Sequence, residues 1–534
     1  MSKSTFLKGA LILTVAGIIV KIIGSVNRIL LSRLLGGEGV GLYQMAYPIY
    51  LLSLSISSAG IPIAISIIVA EKVALGDFNG ASRVFKISLG VLAITGIAFT
   101  LLLYFGAGWL IEHQFVRDSR AYYAIVALAP AIFFATIISA YRGYFQGLQI
   151  MTPTAVSQIF EQLFRVCVMV ALAYILLDYG LEYAAAGASF GATPGAIAAF
   201  LVLIYFYWRH KPGFNEQIRA QSSFIKQESA PSIIKRMIKL ALPVSLANIM
   251  VPIVSSIDLL IVPARLEVAG FTVQQSTELF GYLTGMALPL ITMATILTGS
   301  LAASLVPAIS EAFTLGEKNM IYQRVYTAMR ITNVITIPSA VGLFVLATPI
   351  SQMLYGTPNA GTCIAILAAG VFLLGLQQVT TGILQGLGKT MIPVINLVVA
   401  AGSKIAVNWY LIAMPVFGIK GAAWATIADF GVAAILNIYF VNKYTGFLFN
   451  WSSFFKAVIS SFFMGIVTLY AYNFINENVL SNTIATLVAI TFGAATFFFV
   501  LTLVGGIEAR DIERIPKIGT PLAKLLLSLK LLRR

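Results

Sequence analysis

Only two cysteines and two histidines occur in 534 residues. Cys167 and Cys363 lie in apolar stretches and show neither zinc-ligand spacing nor a disulfide framework. His113 and His210 fall outside the apolar runs. There is no phosphate-cradling Walker loop, no nucleophile elbow and no metal-ligand cluster, so we expect no catalytic residues, no metal, no cofactor and no ATP. Charge is scarce as well: 10% of the residues are Asp, Glu, Lys or Arg, against about 25% in a soluble globular protein. That shortage excludes a soluble enzyme, a disordered chain and a nucleic-acid module. What the chain does have is apolar surface, with 59% of residues in the AVILMFWYC set and a mean hydropathy of +0.91. One soluble core has no use for so much, so the bilayer must be the solvent for most of it. The net charge of +15 is then read against anionic lipid rather than nucleic acid, because the basic residues gather in short loops and in one tail.

Runs of roughly 20 apolar residues, enough to cross about 30 Å of hydrocarbon as a helix, occur fourteen times. They cover 7–34, 42–69, 86–110, 121–145, 153–177, 184–208, 238–263, 279–303, 328–350, 361–386, 391–414, 417–441, 454–475 and 482–504. The expected fold is therefore all-α, integral to the membrane, with fourteen transmembrane helices. Lys21 and Arg28 continue the first run past signal-peptide length, and no small-residue cleavage pattern follows, so it is read as a retained span. With the N-terminus inside, 26 of the 35 basic residues fall on the cytoplasmic side and five outside, which predicts that both ends are cytoplasmic. The longest interior break, 209–237, is a basic linker. The tail over 505–534 is basic too, and its Pro521–Leu532 stretch suits an amphipathic helix on the cytoplasmic leaflet.

The chain also repeats itself. Met45-Ala-Tyr-Pro48 returns as Met286-Ala-Leu-Pro289, and Gln146-Gly-Leu148 returns as Gln385-Gly-Leu387. Glu71, Leu75, Gly76, Asp77 and Asn79 match Glu311, Leu315, Gly316, Glu317 and Asn319. Gly180, Ala184 and Ala185 match Gly418, Ala422 and Ala423, and Ser25-Val-Asn27 matches Ser256-Ile-Asp258. The common order and near-constant offset predict two six-helix lobes, 1–208 and 238–441, related by a pseudo-twofold axis along the membrane normal. Spans 13 and 14, within 442–504, stand outside the repeat. In transporters built this way the substrate sits between lobes that rock to give alternating access.

An ionisable group at the bilayer centre costs at least about 2.5 kcal/mol on insertion scales, so seven within the spans need explanation: Lys21, Arg28, Glu161, Arg165, Asp258, Lys404 and Asp429. Glu161 and Arg165 are four apart and face the same side of one helix, where they can pair. Lys404 and Asp429, on successive spans, could neutralise each other. Either pair is structural or couples transport to an ion. Arg142, Arg33 and Arg265, near span ends, are read as snorkelling. Lys21 and Arg28 are two turns apart on one face, with no acid in their own span. A cationic stripe of that kind suits an anionic ligand. Asp258 sits at the repeat position of Asn27 and is either the counter-charge to the first span or a proton or sodium site.

Several blocks also resemble a known family. They are Thr5-Phe-Leu-Lys-Gly9, Val26-Asn-Arg28, Gly37-Glu-Gly-Val-Gly-Leu-Tyr43, Arg142-Gly-Tyr-Phe-Gln-Gly147, Gln158 through Arg165, Tyr179 through Gly187, and Leu305-Val-Pro-Ala-Ile-Ser-Glu311. Together they are similar to the stage V sporulation protein B-like polysaccharide transporters of the multidrug/oligosaccharidyl-lipid/polysaccharide (MOP) exporter superfamily. That resemblance implies a V-shaped cavity lined by spans 1, 2, 7 and 8, with Lys21, Asn27, Arg28 and Asp258 as substrate-binding candidates. Lipid II flippases of the superfamily carry one basic residue at the place of Lys21. They carry another at Asn27, where this chain has Arg28 next door. The implied function is a flippase for an undecaprenyl-linked oligosaccharide or peptidoglycan precursor in spore-cortex or cell-envelope synthesis. Its partners would be that lipid-linked sugar, anionic membrane lipids and envelope-synthesis enzymes, with the protein itself a monomer. The alternative is an ion-coupled multidrug/cation antiporter. A passive scaffold is a third reading, and the intramembrane charges argue against it.

Overall fold

The computed structural model describes residues 3–58, 60–221, 228–479 and 481–506. The expected tail helix over Pro521–Leu532 lies outside these residues. The described residues form eighteen α-helices with short 3₁₀ and π segments and no strand. Thirteen stretches are long and apolar enough to cross a membrane.

Contacts divide the chain into two compact units, Met1–Gly281 and Tyr282–Arg534. The first holds α1 (Lys3–Ser58), α2 (Ile61–Ala74), α3 (Phe78–Glu112), α4 (Ala121–Gly147), α5 (Thr152–Leu176), α6 (Leu181–Phe190), α7 (Ala192–Ala220), α8 (Ala230–Val268) and α9 (Val273–Phe280). The second holds α10 (Leu288–Ala294), α11 (Ile296–Thr314), α12 (Lys318–Val345), α13 (Ala347–Tyr355), α14 (Gly361–Gly386), α15 (Met391–Leu411), α16 (Ile419–Thr445), α17 (Trp451–Val479) and α18 (Asn482–Leu503). Packing thus groups α8 with the helices before it, while the repeat groups it with those after.

The difference between fourteen apolar runs and thirteen stretches lies at the start. Ile12–Ala74 is one stretch of 63 residues, about 95 Å of helix at 1.5 Å per residue, far more than one crossing needs. It is not straight. Gly36 has φ 64° and ψ −169°, a backbone that costs a glycine nothing and other residues a good deal. A second break lies at Gly60, φ 75°. The eighth run is also broken. It begins with a π-helical segment, Gly281–Ala287, and is interrupted again at Thr295 between α10 and α11. The Tyr355 hydroxyl donates to the Met286 carbonyl (2.9 Å), serving a backbone acceptor within the π segment.

The repeat is visible in backbone detail. After α2, Leu75 and Asp77 donate back to Glu71 and Lys72 through a left-handed Gly76; after α11, Leu315 and Glu317 donate back to Glu311 and Ala312 through a left-handed Gly316. Close packing repeats too. A Cβ on Gly143 of α4 would stand 2.6 Å from the Pro62 carbonyl oxygen, and one on Gly382 of α14 would stand 2.5 Å from that of Ala302. Small residues bring membrane helices together in this way because lipid offers them no hydrophobic drive to associate. One contact is conserved with its residues exchanged. Gly96 of α3 abuts Thr136 of α4, whereas Thr336 of α12 abuts Gly375 of α14.

The copies differ at one turn. Gln149 has φ 59° where its counterpart Gly388 has φ 75°. A side chain in that region costs roughly 1–2 kcal/mol, so Gln149→Gly should stabilise the folded protein by about 1 kcal/mol. A thermal midpoint in detergent that stays level or falls would contradict this.

Apolar cores follow the same division. Ile65, Ile68, Phe85, Leu92 and Phe145 are fully enclosed in the first unit, and Ile309, Val325, Val379 and Ile383 in the second. The helices α17 and α18 pack on each other. A small cluster of Met464, Phe497 and Leu501 on these two helices meets Val334 and Val341 of α12.

Candidate functional site

The first half of α1 is two-sided. A Cβ on Gly24 would lie 3.3 Å from Nε2 of Gln162 on α5, and the Asn27 amide contacts the Met169 sulfur at 3.0 Å. Asn27 is therefore seated on α5, and Gly24 lies close to the same helix. Lys21 and Arg28 flank Gly24 at three and four residues' distance, about 10 Å of helix rise apart, and both side chains are exposed. Among the described residues neither cation makes an ion pair. Asn27 is turned away from them and only 7% exposed. The three residues grouped by sequence thus divide into two open cations and one packed amide. Asp258, on α8, is buried and engaged by other groups; α8 packs on α1 within the same unit.

Beyond the Gly36 break, α1 carries Tyr43, Tyr47 and Tyr50 at spacings of four and three. Their rings follow one another with centroids 5.5 and 6.0 Å apart. Arg165 on α5 lies beside all three. Glu161 bonds Arg165 at 3.3 Å, the ion pair expected from their spacing. It also receives Arg142 of α4 at 2.8 Å, while Nε of Arg142 donates to the Ser157 hydroxyl at 3.1 Å. The snorkelling expected of Arg142 is corrected: its partners are Glu161 and Ser157 on α5. Two guanidinium groups share one carboxylate, and Nε of Arg165 is buried without a hydrogen-bond partner among the described residues. The tyrosine face was available as an i, i+4, i+7 pattern; the Arg142 bond crosses between helices and has no such signature.

Lys404 of α15 and Asp429 of α16 are both buried, at 4% and 6% exposure, on helices that pack together, and each is engaged by neighbouring groups. The second unit also contains an uncharged polar set that sequence reasoning missed. Gln378 of α14 bonds Thr298 (2.7 Å) and Thr295 (3.4 Å) where the eighth run breaks. Threonine hydroxyls are common in helices, so nothing in the sequence marks these two.

Ion pairs tie α8 to the first unit at both ends. At one end Arg236 meets Glu71 of α2, and Lys72 bridges Asp77 and Glu228 at 3.3 Å each. Burial would raise the Glu228 carboxyl, but the Ser232 hydroxyl and the Lys72 ammonium hold it below its ordinary value. At the other end Arg117 reaches Glu267 (3.7 Å), and the Thr277 hydroxyl of α9 donates to Asp118 (2.8 Å). Arg120 grips the same Asp118 with two nitrogens and Glu38 of α1 with a third.

Two families match in sequence: the polysaccharide biosynthesis protein family over residues 6–270 and the MatE family over 243–410. Stage V sporulation protein B of Bacillus subtilis (strain 168) is 31% identical over 97% of this chain and 99% of its own length. The chain belongs to the stage V sporulation protein B-like branch of the MOP exporter superfamily. The lipid II flippase MurJ of Bacillus subtilis (strain 168) is 27% identical over 84% of each chain. Among solved structures, lipid II flippase MurJ in an inward closed conformation superposes with a TM-score of 0.69 at 16% identity, over 94% of this chain and all of that one. An inward-facing multidrug resistance MATE family transporter gives 0.66 at 15%, over 80% and 94%. At those identities the likeness concerns the fold. The chain is thus an all-α, multi-pass membrane protein of the MOP exporter type.

Proposed function

We propose that the protein is a flippase for an undecaprenyl-linked oligosaccharide or peptidoglycan precursor. It would move the headgroup across the cytoplasmic membrane by alternating access, in spore-cortex or cell-envelope synthesis. The observation that carries this reading is the pair of open cations, Lys21 and Arg28, on one edge of α1. A pyrophosphate-linked sugar bears the negative charge that two such groups hold through charge-assisted hydrogen bonds. The MurJ and sporulation relatives support the same substrate class. A drug/cation antiporter would need accessible carboxylates, whereas Asp258 and Asp429 are buried. No catalytic step is assigned to the chain. In sealed vesicles, exposure of a lipid-linked headgroup on the far leaflet should depend on the protein. Drug efflux without lipid exposure would overturn the proposal.

The two six-helix lobes, 1–208 and 238–441, would rock about the substrate as a monomer. We count the Ile12–Ala74 stretch as two crossings, which makes fourteen and puts both termini in the cytoplasm, as the basic-residue bias favours. The end of α7 should then be cytoplasmic. Arg219→Cys in a Cys167→Ser background should resist an impermeant thiol reagent in intact cells; labelling from outside would reverse the orientation.

A further inference from the structure

At one end of the first unit, α3, α4 and the projecting part of α7 enclose a cavity of about 860 Å³. That is the size of a small-ligand site. One wall is aromatic, built from Tyr144, Phe145, Tyr207 and Phe214, with Tyr144 edge-on to Phe214 at 6.0 Å and to Tyr207 at 6.2 Å. The polar part carries Lys86, Lys211 and His210 against one carboxylate, Glu216. Among the described residues neither lysine makes an ion pair. Lys211 lies 4.9 Å over the ring of Trp208, which is 65% exposed. Exposed tryptophans are enriched at the level of lipid headgroups.

The repeat gives an internal control. Ser82, which lines this cavity, corresponds to Tyr322 in the second unit. There the chain turns at Gly446, φ 69°, and tucks Phe447 into the core against Tyr322, with ring centroids 5.9 Å apart. In the first unit α7 runs on to Ala220 without such a turn. One copy of the duplicated fold closes this corner with two aromatic rings. The other leaves it open, small at Ser82 and edged with lysines.

We propose that this cavity binds a phosphate ester anion, with the phosphate on Lys86 and Lys211 and the attached group against the tyrosine and phenylalanine wall. The ester is the headgroup of an anionic phospholipid or a soluble phosphate ester, and the test separates the two. The full-length protein in detergent is offered dioleoylphosphatidylglycerol, dioleoylphosphatidylcholine and, separately, sn-glycerol 3-phosphate. Bound lipid is read by native mass spectrometry and the soluble ester by calorimetry. Saturable binding of phosphatidylglycerol over phosphatidylcholine is expected. It should weaken at least tenfold in a Lys86→Gln, Lys211→Gln variant and in Ser82→Tyr, which supplies the ring of the other copy. The same losses with glycerol phosphate would identify a soluble ester as sufficient; binding of the lipid alone would assign the site to the membrane. Should the lysine variant fail to fold, Ser82→Tyr decides. The proposal is overturned if neither anionic probe binds the wild type, if phosphatidylcholine binds equally well, or if binding survives in the folded variants.

Discussion

Lys21→Ala combined with Arg28→Ala should insert and fold at wild-type levels and lose headgroup translocation. Both side chains are exposed on α1 and free of ion pairs among the described residues, so truncation opens no cavity and strands no buried charge. What is lost is the contact with the anion. Hydrogen bonds to charged groups are worth about 1.5–3 kcal/mol each, so each single change should weaken headgroup binding roughly ten- to a hundredfold. Lys21→Arg should retain part of the activity and Arg28→Lys less, because an ammonium lacks the planar fork that engages two oxygens at once. A well-expressed double variant that flips normally would remove the headgroup site from α1 and return the antiporter to consideration.

Glu161→Gln should be the most damaging single change to folding. It leaves Arg142 and Arg165 facing each other without the carboxylate they share; with side chains 17–22% exposed, the cost falls below the about 3–5 kcal/mol of a fully buried, uncompensated charge. Arg165→Gln should be milder, because Glu161 keeps Arg142. Neutralising all three together should recover much of the folded yield. Size-exclusion profiles and thermal midpoints of detergent-solubilised variants measure this order. If Glu161→Gln is as stable as wild type but inactive, the cluster is functional rather than structural.

Much of this architecture was legible in the amino-acid order, for physical reasons that also explain the gaps. A helix places residues four apart on one face, so the Glu161–Arg165 bond could be anticipated. The bond from Arg142 depends on how α4 meets α5, and periodicity within one helix carries no information about that. The apolar runs exposed the membrane fold because hydrocarbon tolerates little else, but hydropathy is blind to backbone direction. The bends at Gly36 and Gly60 and the π segment at Gly281–Ala287 therefore had no compositional sign. The repeat was readable because the same caps and the same helix contacts need glycine at the same places, as at Gly76 and Gly316. Lys21 and Asn27 looked like members of one site; only the burial of Asn27 against Met169 of α5 reveals that it is turned away from the cations. The tyrosine face was present in the letters but inconspicuous in a chain with 12% aromatic residues.

The attachment of α8 bears on how the protein is made. Glu71 and Lys72 find partners within the basic linker, and Asp118 finds one beyond it on Thr277, so the first compact unit is complete only at Gly281. The six spans before the linker emerge from the ribosome roughly seventy residues earlier. At about 5–20 residues per second that is a wait of roughly 4–15 s. During that interval the nascent bundle carries polar groups still short of their partners, a period in which an insertase or chaperone would have something to hold.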